Sequence, residues 1–271
     1  MIGRALFHGC IGLIYLFITL PILVVLVASV STTPYLVFPP KGFTLRWFSD
    51  ITSLGDFITA FEYSFEVAVL ATALSMLLGT WIALVIGRNQ FPGRSLLMSF
   101  FLSPIILPEL AVAVGLLQYF SQSGLIHGLL AVVLAHSVIC TPYAVRTITA
   151  ATARADRSIE DCAASLGAAP WRVLRDVTLP LLKPGLLSGA IMAFVISFDN
   201  VTISLFLSAP GRITLPALLF NQAAETGLNT TIAAVSALLV IFMMGLMLLV
   251  ERAIGLEKFF QSAVAPSKRA A

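Results

Sequence analysis

Residues 158–180 read S-I-E-D-C-A-A-S-L-G-A-A-P-W-R-V-L-R-D-V-T-L-P. This charged stretch, rich in helix signals, lies between segments apolar enough to cross a bilayer, and that contrast decides the fold. Ser158 can cap a helix whose third residue is Asp161, an S-x-x-D form of the capping box, and Glu160 adds negative charge at the positive helix end. Ala163 and Ala164 give this helix a small-residue surface, and Gly167 supplies the left-handed stop that ends it. Pro170 suits the first turn of a second helix over residues 170–177, which Leu179-Pro180 closes. The expected product is a helix-turn-helix hairpin outside the membrane, with Trp171, Val173, Leu174 and Val177 available for burial against a partner or the ends of the spans. A surface hairpin that merely covers a helix bundle is the plainer alternative. Against it stand the small-residue face and the mixed charges Glu160, Asp161, Arg172, Arg175 and Asp176, which suit close, specific packing.

Outward from this stretch the composition is that of an all-α integral membrane protein. Of 271 residues, 59% are hydrophobic and 11% charged, with a mean hydropathy of +0.99; a soluble domain carries about 25% charged residues. Uncharged runs at 11–35, 67–86 and 230–250 each approach the ~20 residues that cross ~30 Å of hydrocarbon as a helix. Strands of a barrel would show short alternating segments instead. Six spans are expected at about 10–32, 62–87, 95–119, 125–148, 185–207 and 230–251. The first follows Arg4, but its length and the lack of a small-x-small cleavage site favour a retained span over a cleaved signal.

With the N-terminus inside, the cytoplasmic side collects Arg4, Arg88, Arg94, Arg146, Arg154, Arg157, Arg172, Arg175, Lys183, Arg252, Lys258, Lys268 and Arg269. Lys41, Arg46 and Arg212 remain outside. This bias satisfies the positive-inside rule, so both termini and a loop over 150–183 are expected in the cytoplasm. The net charge of +3 and pI of 8.9 are explained by those flanking cations, and nucleic-acid binding is excluded as a function class. Cys10, Cys140 and Cys162 show neither a paired CxxC nor metal-ligand spacing, so neither a disulfide nor a metal site is expected.

Polar groups inside the spans mark the candidate pathway. Pro104 and Pro108 should kink or break the third span. Glu109 follows about 14 residues and ~21 Å from the inner face at 1.5 Å per residue. Span five is expected to start at Pro184-Gly185, and Asp199, beside Phe198 and Asn200, lies at the same computed depth. A carboxylate there is costly unless it meets water or a partner. Two at one depth on different helices suggest a polar pathway, although each could be a structural hydrogen-bonder. His136 on span four is expected to hydrogen-bond between helices rather than to relay protons. Residues 205–229, broken by Pro210-Gly211 and Pro216, read as an external or re-entrant segment packed against protein. The external residues 31–61, punctuated by Pro34, Pro39, Pro40 and Gly42, place Phe43, Trp47 and Phe48 as an interfacial aromatic belt or a docking surface.

The run E-D-C-A-A-S-L-G-A-A-P-W-R-V-L-R-D-V-T-L-P resembles the EAA motif of ABC-importer permeases, E-A-A-x3-G followed downstream by hydrophobic-x-L-P. Glu160, Ala163 or Ala164, Gly167, Val177, Leu179 and Pro180 stand in that pattern, with Asp161-Cys162 set between Glu160 and the alanines. Further stretches resemble the spermidine/putrescine-type permeases of the second, C-type kind. They are P-P-K-G-F-T-L-R-W-F at 39–48, Leu107-Pro108-Glu109, Ser197-Phe198-Asp199-Asn200 and L-F-L-S-A-P-G at 205–211.

The resemblance implies a six-span type I ABC importer permease in a bacterial inner membrane. It further implies a second homologous permease subunit, two copies of a cytoplasmic ATPase seated on the EAA loops, and an external solute-binding protein. Glu160, Asp161, Ala163, Ala164, Gly167, Leu179 and Pro180 become the expected ATPase-coupling residues, with Glu160 meeting a basic ATPase residue. No G-x4-G-K-[ST] occurs, so ATP and magnesium are expected in the ATPase and no cofactor in this chain. A polyamine is the expected cargo, with Glu109, Tyr143, Phe194, Phe198, Asp199 and Asn200 along its path through ion pairing and cation–π contact. Aminophosphonates, opines and amino-acid-like solutes are alternative cargoes of the same machinery. A secondary transporter relaying ions through Glu109, His136 and Asp199 is the competing class; it would predict internal inverted repeats and leaves the cytoplasmic hairpin unexplained.

Overall fold

The computed structural model describes residues 2–37, 39–53, 55–125, 128–209 and 211–254. Lys258, Lys268 and Arg269, counted above toward the inner face, lie outside the described residues, as does Pro210. The described chain is all-helical, and its β-bridges are isolated pairs. Contacts divide it into two units, one drawn from 1–59 and 218–249, the other from 60–217 and 250–254.

The first unit contains α1 (Ile2–Ala28), α2 (Arg46–Ser53) and most of α12 (Thr230–Ile254). Its connecting segment is pinned locally: Trp47 Nε1 donates to Ser31 O at 2.7 Å, and Thr230 Oγ1 donates to Thr33 O at 2.6 Å. Trp47 is therefore held by a backbone carbonyl as well as being an aromatic of the expected belt. The residues of α3 (Gly55–Arg88) and of α11 (Leu215–Thr226) are each shared by the two units.

The second unit is built around α6 (Leu129–Arg154), whose core positions include Ala131, Ala135, Ala144, Val145 and Ile148, all fully buried. Helix α9 (Leu179–Phe198) packs along it. Close approach is bought with small residues. A Cβ added at Gly79 of α3 would lie 2.6 Å from the Ala144 Cβ, and one at Gly189 of α9 would lie 2.7 Å from Thr147 Oγ1. Toward the Arg88 end of α3, a Cβ at Gly87 would strike the Thr152 side chain and one at Gly185 the Ala151 Cβ. Without a hydrophobic force between helices in lipid, such small-residue contacts are what let backbones pack closely.

Among the described residues five helices are long and apolar enough to cross a membrane, and a bent pair makes a sixth span if counted as one. That pair is α4 (Arg94–Ile106) and α5 (Glu109–Gln122), which meet at 101°. Pro104 is accommodated inside α4, whereas Pro108 forces the break. Leu107, the residue before it, takes the extended conformation (ψ 143°) that a following proline imposes.

Span five differs from expectation. Leu179-Pro180 does not close a hairpin helix, and Pro184-Gly185 does not start a span. Instead α8 (Pro170–Val173), a π-helical turn (Leu174–Thr178) and α9 form one apolar run, Pro170–Phe198. The Leu179 N–H reaches five residues back to Leu174 O. This wider turn re-registers the hydrogen-bond ladder just before Pro180, which has no N–H to contribute. At its other end α9 stops at Asp199, and the short α10 (Thr202–Leu207) follows with Ile203, Ser204 and Leu207 buried.

Candidate functional site

The second unit carries two candidate regions, and the first lies where two helix breaks meet. A cavity of about 480 Å³ is lined by Leu107 and Glu109 from the α4/α5 break and by Asp199, Asn200 and Thr202 from the α9/α10 break, with Ile139 and Tyr143 contributed by α6. Asn200 joins the breaks. Its Oδ1 accepts from the Ile203 N–H at 2.8 Å, which orients the amide so that Nδ2 donates to Glu109 Oε1. One buried side chain thereby starts α10 and fixes the acid at the start of α5. Behind it, His136 bridges Ser197 Oγ at 2.9 Å and Ser204 Oγ at 3.1 Å. Both ring nitrogens are engaged, so His136 ties α6 to both sides of the α9/α10 break, the interhelical role expected of it.

Among the described residues no lysine or arginine pairs with Glu109 or Asp199. Both acids are solvent-accessible in the isolated chain. The two carboxylates open into one hollow, where a charge is costly unless water or a partner meets it. Of the expected pathway residues, Glu109, Tyr143, Asp199 and Asn200 line this cavity.

Phe194 and Phe198, expected along the same path, do not line it. Phe198 is 2% exposed and stacks on Phe194 at 5.6 Å. The two meet Phe61 and Phe65 of α3, each pair at 5.8 Å between ring centroids. Positions 195 and 196 of α9 and its C-cap Asp199 line the cavity, while 194 and 198 share the face packed on α3. Sequence adjacency to Asp199 hid this difference, because neighbours in a helix lie about 100° apart.

The second region is the hairpin. Helix α7 spans Arg157–Ser165, and its cap is Asp156 rather than Ser158: Asp156 Oδ1 accepts the Ser158 N–H at 2.9 Å. That hydrogen bond holds the Asp156 carboxyl below the usual carboxylate range. Both residues are good caps, and the chain chooses the one that places Glu160 against the end of α3. At the other end, Ala168 N–H bonds Ala163 O and Gly167 N–H bonds Ala164 O, a Schellman motif with Gly167 at φ 86°. Leu166, at the tip, is 90% exposed, and Ile159 and Trp171 are also exposed. The hairpin thus offers an apolar edge that the sequence reading located only in part, through Trp171.

Glu160 departs from its expected role. It is not free for a partner: Arg88 Nη2 donates to Glu160 Oε1 at 2.7 Å, and both side chains are 13% exposed. Asp161 is the accessible acid, with its side chain 72% exposed. Counted back from Gly167, the acidic position of E-A-A-x3-G falls on Asp161 as well. Ala163 is half-buried on the Glu160 face and Ala164 exposed, while Leu179 is half-buried and Pro180 exposed at the base of α9. Arg88 is the residue sequence reasoning missed; it was read only as a topology cation, and its partner lies 72 residues away.

The family described as binding-protein-dependent transport system inner membrane component matches residues 75–256. The chain is 31% identical over 234 residues to the putrescine transport system permease protein PotI of Escherichia coli K12, covering 83% of this chain and 82% of that protein. It is 32% identical over 242 residues to PhnV of Salmonella typhimurium LT2, a permease protein provisionally assigned to 2-aminoethylphosphonate transport, covering 89% and 90%. A chain from the crystal structure of a bacterial ABC transporter involved in import of the acidic polysaccharide alginate shares the fold, with a TM-score of 0.77 and 15% identity over 93% of this chain and 96% of that one.

Proposed function

This chain belongs to the family of binding-protein-dependent transport system inner membrane components, and we propose that it forms half of the path by which an ATP-driven importer carries a small organic cation, a polyamine before any other. The observation that carries this reading is the cavity at the paired helix breaks. Glu109 and Asp199 open into it without a cationic partner among the described residues, while Asn200 and Tyr143 add polar and aromatic wall. Similarity to PotI supports the same cargo. Similarity to PhnV keeps 2-aminoethylphosphonate in view, but its phosphonate would meet two carboxylates, an arrangement that favours a ligand without negative charge.

A second permease subunit would complete the path, and an external binding protein would deliver the solute. Two ATPases would receive the hairpins, the tip of Ile159, Leu166 and Trp171 entering a cleft of each while Asp161 supplies the charged contact. Closure of the ATPase pair would rock the spans as rigid bodies. On this reading the termini and the hairpin face the bacterial cytoplasm. Cys162 on α7 is exposed whereas Cys140 is buried, so a membrane-impermeant thiol reagent should label Cys162 from the inner face alone.

The test is uptake by the complete complex in proteoliposomes, with putrescine, spermidine and 2-aminoethylphosphonate compared in the presence of ATP and in the presence of an ion gradient alone. ATP-driven polyamine uptake is expected, and Asp199→Asn should lower it about tenfold with ATP hydrolysis intact. Uptake driven by the gradient alone would sink the importer reading. Uptake of the phosphonate but no polyamine would sink the cation assignment.

A further inference from the structure

The hairpin is attached to the spans in more ways than its peptide bonds require. Between α6 and α7 the chain passes through Ala155 and Asp156, both extended, with ψ of 129° and 115°. Two extended residues make a pivot, and a helix hung from a pivot turns without moving what it hangs from. Three hydrogen bonds cross this joint. Arg88, the last residue of α3, donates Nη2 to Glu160 Oε1 at 2.7 Å and Nη1 to Ala155 O at 3.4 Å. Arg157 Nη1 returns a bond to Arg88 O at 3.0 Å. Because the Arg88 Nε is buried with no acceptor among the described residues, the guanidinium depends on Glu160 for its compensation. The end of α3 is in turn locked to α6 where Gly87 meets Thr152, and α9 to α6 where Gly185 meets Ala151.

We infer that Arg88 and Glu160 are positioning residues for energy coupling: their ion pair clamps α7 against the end of α3, so that displacement of the hairpin moves α3, α6 and α9 together instead of swivelling at Ala155-Asp156. The inference rests on the importer reading above and goes beyond it, since it assigns transmission to a contact within this chain rather than to the face that meets an ATPase. A fork-shaped guanidinium suits the task, holding a carboxylate and a carbonyl at once where a lysine ammonium is a single point charge.

The decisive measurement is solute imported per ATP hydrolysed by the purified complex in proteoliposomes. Glu160→Gln keeps size and shape but removes the charge. It should leave ATP hydrolysis within about twofold and cut import about tenfold, in the range by which mutations along coupled networks change coupling. Arg88→Lys should show a smaller loss of the same kind. Were Glu160→Gln not to assemble, Arg88→Lys alone would decide by the same reading. A wild-type ratio in an assembled Glu160→Gln complex, or in Arg88→Lys, overturns the clamp. So does an equal fall of hydrolysis and import, which would mark mere loss of docking. Absence of ATP-driven import in the unmutated complex would instead sink the importer reading, so the two failures are told apart.

Discussion

The two ends of the second unit solve opposite problems with the same helices. Toward the hairpin, α3, α6 and α9 are continuous and drawn together through Gly79, Gly87, Gly185 and Gly189. Toward the cavity, the chain is broken at Leu107-Pro108 and at Asp199–Val201, and one asparagine amide links the breaks. A helix satisfies its own backbone in lipid, so a break is tolerable only where protein or a water-filled hollow takes up the freed groups. The welded end therefore suits transmission of force, and the broken end suits contact with a polar solute.

The largest test of this contrast is steric. Gly185→Ala would drive a Cβ into Ala151, whereas at Gly115 of α5 no described residue lies within 4 Å of the same position. We expect Gly185→Ala to destabilise by about 1–3 kcal/mol, the usual cost of overpacking, read as a lower melting temperature of the purified protein. Gly115→Ala should be neutral or slightly stabilising, since alanine is the better helix former. Equal melting temperatures would remove the distinction between the ends.

An intermediate effect should follow at the broken end. Asn200→Ala deletes the bond to Glu109 and the cap on Ile203, and should cost about 1–2 kcal/mol given the modest worth of hydrogen bonds between membrane helices. Thermal unfolding of the purified variant checks the cost, and protease nicking near residues 199–202 would show whether the break has opened.

The smallest effect concerns the start of α7. A carboxyl whose native pKa is lowered contributes stability in full above its ordinary value and loses it as pH falls through the lowered value. Asp156, held down by the Ser158 N–H, should therefore support α7 fully at neutral pH and progressively less below about pH 3.8. Asp156→Asn, itself a good cap, should behave as wild type at neutral pH and lose that acid dependence, as read by hydrogen exchange at the first turn of α7.

Much of the fold was readable from local chemistry. The spans follow from length and apolarity. The break at Pro108 follows from a missing donor and from the extended bias on Leu107. The turn at Gly167 follows from the one residue type that accepts a positive φ without cost. Where two local solutions were equally good, the reading slipped: Asp156 and Ser158 both cap helices and stand two residues apart. Leu179-Pro180 looked like a stop because a proline in a helix normally costs a hydrogen bond, and nothing nearby announces that a π turn absorbs the fault.

For the candidate site, the sequence indicated which groups are costly to keep in a bilayer, Glu109 and Asp199, because that cost depends on the residue and its depth alone. It also marked a hairpin of mixed charge between apolar spans, because charge is written residue by residue. It did not contain the partners. Glu160 meets Arg88 across 72 residues and Asn200 meets Glu109 across 91, while Phe198 and Phe194 are turned toward Phe61 and Phe65 of another helix. Pairings at such separations depend on how helices cross, and the crossing depends on which glycines let backbones touch. Those contacts made Glu160 a clamp and Asn200 a bridge, roles that belong to pairs of distant residues and so to the folded chain.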